Sequence, residues 1–245
     1  MIQHMPALAA TIERRLLVNY RVDPVIAQTM LPPTLRPQLI DGSAVAGICL
    51  LRLGALRPSW FTPEVGWRAE NVAHRIAVEW DDATGLHNGV YVPQRHSASW
   101  AAVAAGERVF PGVHTHAHFT VAESDARIRV AMTSHDTSVS ADIELGLPWQ
   151  SSLFETVDDA SAFFRNGSTG WSPPRNGTAL QGIMLSTTRW AVEAGRIRSV
   201  SSSFFDTLPP GSATLDSVLV MRDVPVIWSM PSAPAPQRVA AYTRA

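Results

Sequence analysis

The chain has 245 residues, 46% hydrophobic and 17% charged, with a formal net charge of −1, a balance that excludes disordered, collagenous and disulfide-built classes. Its Lys+Arg count of 20 is made up of arginine alone. With no lysine, no side-chain amine can form an imine with a carbonyl compound and no P-loop lysine can reach a phosphate. The arginines are scattered among 21 acids without a basic stripe, so the electrostatic footprint of nucleic-acid binding is missing. Cys49 has no second cysteine to pair with. No leader pattern and no apolar run of ~18 residues occurs, so the expected compartment is the cytoplasm, with neither membrane nor nucleic acid as a partner.

In chain order, period-two and β-branched patterning predicts a strand over 15–22, followed by a helix over 24–30 and a Pro-rich loop over 31–37. Strands over 44–51, 73–80 and 89–92 precede a short helix over 98–105. Further strands are predicted over 113–121, 126–133 and 138–145, then a helix over 157–164 and a Gly-rich loop over 165–177. A loop over 207–211, a helix over 212–218, a strand over 219–228 and a Pro/Ala-rich tail over 231–237 complete the chain. Helices this short among runs of strands indicate α+β and not repeated βαβ units. Closure removes the exposed edges of a many-stranded sheet, so the expected architecture is a single domain over 1–245, an antiparallel β-barrel or cone with short peripheral helices.

Several segments carry a family resemblance. Tyr20-Arg21-Val22-Asp23-Pro24 followed by Leu31-Pro32-Pro33-Thr34-Leu35 resembles the opening of the acetoacetate decarboxylase superfamily. Ala69-Glu70-Asn71-Val72, Gly89-Val90-Tyr91 through Ala105-Gly106-Glu107-Arg108 to Phe110-Pro111, and Ser201-Ser202-Ser203-Phe204-Phe205 to Arg222-Asp223-Val224-Pro225 follow in the same order. Among its members the chain is most similar to the uncharacterised YqjF-like branch. The resemblance implies antiparallel sheets closed around an internal pocket, usually within a homo-oligomer. It also implies a Schiff-base lysine, acidified by a second lysine, directly after an aromatic-Pro pair. Here Phe110-Pro111 is followed by Gly112-Val113, so the signature decarboxylation is excluded.

Glu70 matches the position of the superfamily's pocket glutamate. In an apolar pocket its pKa would rise and suit it to general acid/base work; the alternative is a salt-bridged surface glutamate beside Arg68. His114-Thr115-His116-Ala117-His118 follows the vacated lysine positions. On one strand the three imidazoles share a face, neighbours ~7 Å apart. His114 and His116 could then share a zinc or similar divalent ion, completed by Glu70, His87, His96 or His135. The alternatives are polar pocket lining without metal, so that no cofactor is required, and a solvated edge strand.

Arg95 and His96, with Tyr91 and His118, are candidate ligand-binding residues, Arg95 offering two-pronged recognition of a carboxylate. Arg14 and Arg15 lie near the place where the decarboxylases carry a pocket arginine. Trp60, Trp67, Trp80 and Trp100 read as core or interface residues. Ser201, Ser202 and Ser203 lack a nucleophile-elbow pattern. The expected function is action on a small keto acid or carbonyl compound by lysine-independent acid/base chemistry of lyase, isomerase or cyclase type, with Glu70, His114 and His116 moving protons. The alternative is a small-molecule-binding barrel without turnover.

Overall fold

The computed structural model describes residues 7–106, 110–231 and 235–236. Its first strand, β1 (Leu8–Val22), ends at Asp23, whose carboxylate caps the short helix α1 (Pro24–Thr29) by accepting from the Val25 and Ile26 amides. Proline at the first helical position, where no amide partner is needed, starts the helix at little cost. Two-residue strands β2 (Arg36–Pro37) and β3 (Leu39–Ile40) lead into the long strands β4 (Ser43–Pro58), β5 (Trp67–Asp82) and β6 (Gly85–Ser97). Ser99 caps α2 (Trp100–Ala105). Then come β7 (His114–His116), β8 (His118–Glu123), β9 (Arg127–Thr133) and β10 (Ser138–Leu145). A capping box of Thr156 and Asp159 starts α3 (Val157–Asn166). The chain finishes with β11 (Thr169–Ser172), β12 (Gln181–Ser186), β13 (Glu193–Ser202), α4 (Ser203–Asp206) and β14 (Ala213–Ser229).

Seven strands close a ring in the order β1-β4-β5-β6-β11-β12-β14, with β14 pairing back onto β1 over almost its whole length. From β14 the sheet continues through β13, β10 and β9 to β8 and forms a second layer. Pairing is antiparallel except for β11 and β7, which run parallel to β6. The expected α+β architecture, strands closing into a barrel with short helices, is the one found.

Both faces of the ring strands are covered. On the outer face Leu16, Val18, Ala46, Ile48 and Ile76 pack against Val130, Met132, Ala141 and Ile143 of the second layer. On the inner face Leu17, Val45, Cys49, Ala77 and Met221 pack with Ala160 and Phe164 of α3. Each interior is a close-packed apolar layer of the kind that drives folding.

Two predicted elements are corrected. Residues 212–218 carry no helix, because Ala213 and Leu215 pair with Val22 and Tyr20 and extend β14; tertiary pairing outweighs local propensity there. The predicted strand over 113–121 breaks at Ala117, whose amide bonds the Ser97 carbonyl at 3.0 Å as the chain leaves the edge of β6 for that of β9. Strands β11, β12 and β13 lie in segments without clear alternation. Most of the tail over 231–237 and the Glu107-Arg108 pair lie outside the described residues.

Candidate functional site

A cavity of about 210 Å³ lies inside the ring. Every ring strand contributes to its wall: Ile12 and Arg15 from β1, Cys49 from β4, Arg75 from β5, Arg95 from β6, Gly170 from β11, Ile183 from β12 and Trp228 from β14. Ala101 and Ala102 of α2, Phe110, His114 and Phe164 of α3 complete the enclosure. The wall is mainly aliphatic and aromatic, with few polar groups, as small-molecule pockets are.

Three of the polar groups are arginines, Arg15, Arg75 and Arg95. Arg75 is only 3% exposed; one nitrogen donates to Asn19 Oδ1, its carbon lies 4.4 Å from the centre of the Phe164 ring, and Nε and Nη1 have no partner. Burial, with Arg15 adding repulsion, pushes its pKa down to about 9. Arg95 Nη2 donates to Ser172 Oγ at 3.2 Å while its buried Nε is unpartnered, and burial pushes it down to about 10. Arg15 donates from Nε to Cys49 Sγ at 3.0 Å and from Nη1 to Met221 Sδ at 3.9 Å. Among the described residues none of the three has a carboxylate partner, whereas Arg14, Arg36, Arg52, Arg127 and Arg198 all do. Buried charge without a counterion is costly, and an incoming anion would offset that cost.

His114 stands beside Arg95 in the β6–β7 register. Burial first, then the Arg95 charge, push it down to about 4, against the opposing effect of its bonds to the Pro111 and Phe110 backbone, and its Nε2 is buried without a partner. It is therefore a neutral imidazole at neutral pH. Gly112, which follows Phe110-Pro111, has φ +85° and donates its amide to Gln181 Oε1 at 2.9 Å.

Other predicted site residues lie elsewhere. Glu70 was expected to line the pocket. It sits on the outer face of β5, 14% exposed, bound to Arg14 at 2.5 Å and Arg52 at 2.6 Å, and both arginines also bind Glu123 of β8. A β-bulge between Ile12 and Arg14 turns Arg14 onto this face and leaves Arg15 facing the cavity. Glu70 is thus salt-bridged to Arg14 and Arg52, while Arg68, the neighbour expected beside it, pairs with Glu13.

His116 stacks on exposed Trp100, ring centres 3.9 Å apart, and does not line the cavity; His118 meets His116 edge-on from the next strand and is exposed. The break at Ala117 removes the single strand on which the three were expected to share a face. Tyr91 is in the outer core. His96 borders the cavity but turns its ring edge-on to His74 in the outer layer, 6.4 Å away. His87 bonds Asp82 and Thr84 in a hairpin, and His135 lies beside Asp136 at the surface. Among the described residues no three His, Cys, Asp or Glu side chains are grouped to hold a metal ion, and no helix is long and apolar enough to cross a membrane. Trp67 lines the cavity mouth and Trp80 is in the outer core. Sequence reading missed Arg75, whose signal is a charge inside the buried run 73–80.

The profile of the DUF2071 family, described as "Uncharacterized conserved protein (COG2071)", matches residues 9–199. No curated protein sequence matches. Among solved structures, acetoacetate decarboxylase from Legionella pneumophila subsp. pneumophila str. Philadelphia 1 is similar at 14% identity and TM-score 0.64, over 99% of this chain and 91% of that one. The enduracididine biosynthesis enzyme MppR, solved in complex with pyruvate, gives 13% identity and TM-score 0.57 over 97% and 92%. An acetoacetate decarboxylase-like enzyme from Sphingomonas wittichii RW1 gives 11% identity and TM-score 0.57 over 97% and 94%. At these identities the likeness shows the fold, which is acetoacetate decarboxylase-like.

Proposed function

The chain belongs to the DUF2071 family, and on that premise we propose that its ring cavity takes up a small carboxylate-bearing carbonyl compound, a keto acid, without forming an imine. One observation carries this reading: Arg15, Arg75 and Arg95 line a single cavity, and among the described residues that line it there is no carboxylate. Guanidinium groups bind carboxylates through paired, charge-assisted hydrogen bonds. A cavity of about 210 Å³ suits a molecule of a few carbons. The pyruvate held by MppR, a protein of the same fold, is a ligand of this class.

The acid/base roles first expected of Glu70 and His116 are replaced in this reading. The arginines fix the carboxylate, the apolar wall excludes water, and His114 is the neutral imidazole available to move a proton beside Arg95. Among the described lining residues no acid stands with His114, which favours holding the ligand over turning it over rapidly.

The test is a thermal-shift comparison of pyruvate and acetoacetate with acetone. Ligands that bind only the folded state raise the unfolding temperature by mass action. Both acids are expected to raise it and acetone to leave it unchanged, with the rise lost in Arg75→Gln and Arg95→Gln. Equal responses to acids and acetone would overturn the reading.

A further inference from the structure

Cys49 is the only cysteine in the chain. It lies on β4 with its side chain buried against the ring cavity. Arg15 Nε donates to its sulfur at 3.0 Å, and Arg75 and Arg95 both feel the sulfur electrostatically. The other side-chain partner of Arg15 is the Met221 thioether, so this guanidinium is aimed at sulfur on both sides and at no acid. A second observation is independent of the sulfur. Arg75, 3% exposed, lines the same cavity with two unpartnered N–H groups, which marks the space next to the thiol as a place for an anion.

We propose that Cys49 is the covalent capture residue of this cavity, its sulfur adding to the keto carbon of a 2-oxo acid to give a thiohemiketal. The inference rests on the keto-acid reading above and names the group that replaces the missing amine. In the step an S–C bond forms, the π pair of the C=O bond moves to oxygen, and the thiol proton ends on that oxygen. Nothing is oxidised or reduced, and the addition is reversible. In a 2-oxo acid the electrophilic carbon is bonded directly to the carboxylate carbon, so guanidinium groups that grip the carboxylate also hold the keto group beside the sulfur. Charge that develops on sulfur and then on oxygen is met by fixed cations in a largely apolar cavity, where such stabilisation is strong.

The experiment uses the full chain in two arms. Because Cys49 is the sole thiol, intact mass reports its alkylation directly. Ordinary thiols react faster with neutral iodoacetamide than with iodoacetate. At Cys49 the anionic reagent is expected to react faster by about tenfold, equivalent to ~1.4 kcal/mol, with pyruvate protecting and Arg75→Gln erasing the preference. In the second arm, pyruvate labelled at the keto carbon is expected to give a protein-bound tetrahedral-carbon NMR signal, distinct from that of the hydrate free pyruvate forms in water, with the wild type and none with Cys49→Ala or Cys49→Ser. Absence of labelling in the folded protein, preference for the neutral reagent, or a tetrahedral signal that survives both substitutions would overturn the proposal. If pyruvate raises the unfolding temperature and no tetrahedral signal forms, covalent capture fails while the anion site stands; if pyruvate does neither, both fail.

Discussion

A Cβ built on Gly112 would lie 2.8 Å from the Ser172 Cβ, closer than real side chains approach. Gly112 also has φ +85°, a conformation that L side chains rarely adopt, so both its backbone and the neighbouring β11 edge resist a side chain at this position. Restoring lysine by Gly112→Lys is expected to lower stability by about 1–3 kcal/mol, read from urea unfolding. The wild type is expected to show no borohydride-trapped adduct at any side-chain amine after incubation with acetoacetate.

Glu70→Gln tests the outer-face ion cluster. Arg14, 2% exposed, would keep its charge after losing one of its two carboxylates. Breaking a buried ion pair on one side costs about 3–5 kcal/mol, and the stability loss should fall below that range, because Glu123 still serves both arginines. The thermal shift produced by pyruvate is expected to persist, since Glu70 does not face the cavity. Loss of that shift in a folded variant would return Glu70 to the binding machinery.

Acid should destabilise the fold through two histidines. Burial, with a further push from His96, holds His74 down to about 3, and burial with the Arg95 charge holds His114 down to about 4. The unfolded chain protonates the same rings near their ordinary value of about 6.5. Between there and about pH 4 the unfolded state binds more protons, so stability falls as pH falls, by about 1.4 kcal/mol per pH unit for each ring, and is insensitive to these groups above 7. Urea midpoints at pH 7 and pH 5 check this, and His114→Gln should flatten the slope.

Zinc content provides a further check. His114 borders the cavity while His116 is stacked on Trp100, so protein purified without chelator is expected to carry well below one equivalent of zinc by elemental analysis. Added zinc should not change the pyruvate-induced thermal shift. A stoichiometric ion lost in His114→Gln would reinstate the expected metal pair.

What the sequence determined by itself was mostly composition and local pattern. The lack of lysine excludes imine chemistry in any fold, and alternation located β1, β4, β5, β9 and β10 because each presents regular apolar faces. Arg95 and His114 were legible as site candidates from their order along the chain. Only the tertiary structure decided which residues face the ligand. Strands β1, β4, β5 and β14 are buried on both sides, in the inner cluster with α3 and in the outer cluster with the second layer, so a polar side chain in such a strand carries no mark of the side it serves. Glu70 and Arg75 are both charged residues of β5; one completes an ion cluster outside the ring and the other stands within it with two N–H groups unpartnered. A single bulge after Ile12 likewise sends Arg14 outward and Arg15 inward, a choice made by strand register across the closed ring and not by the identity of either residue.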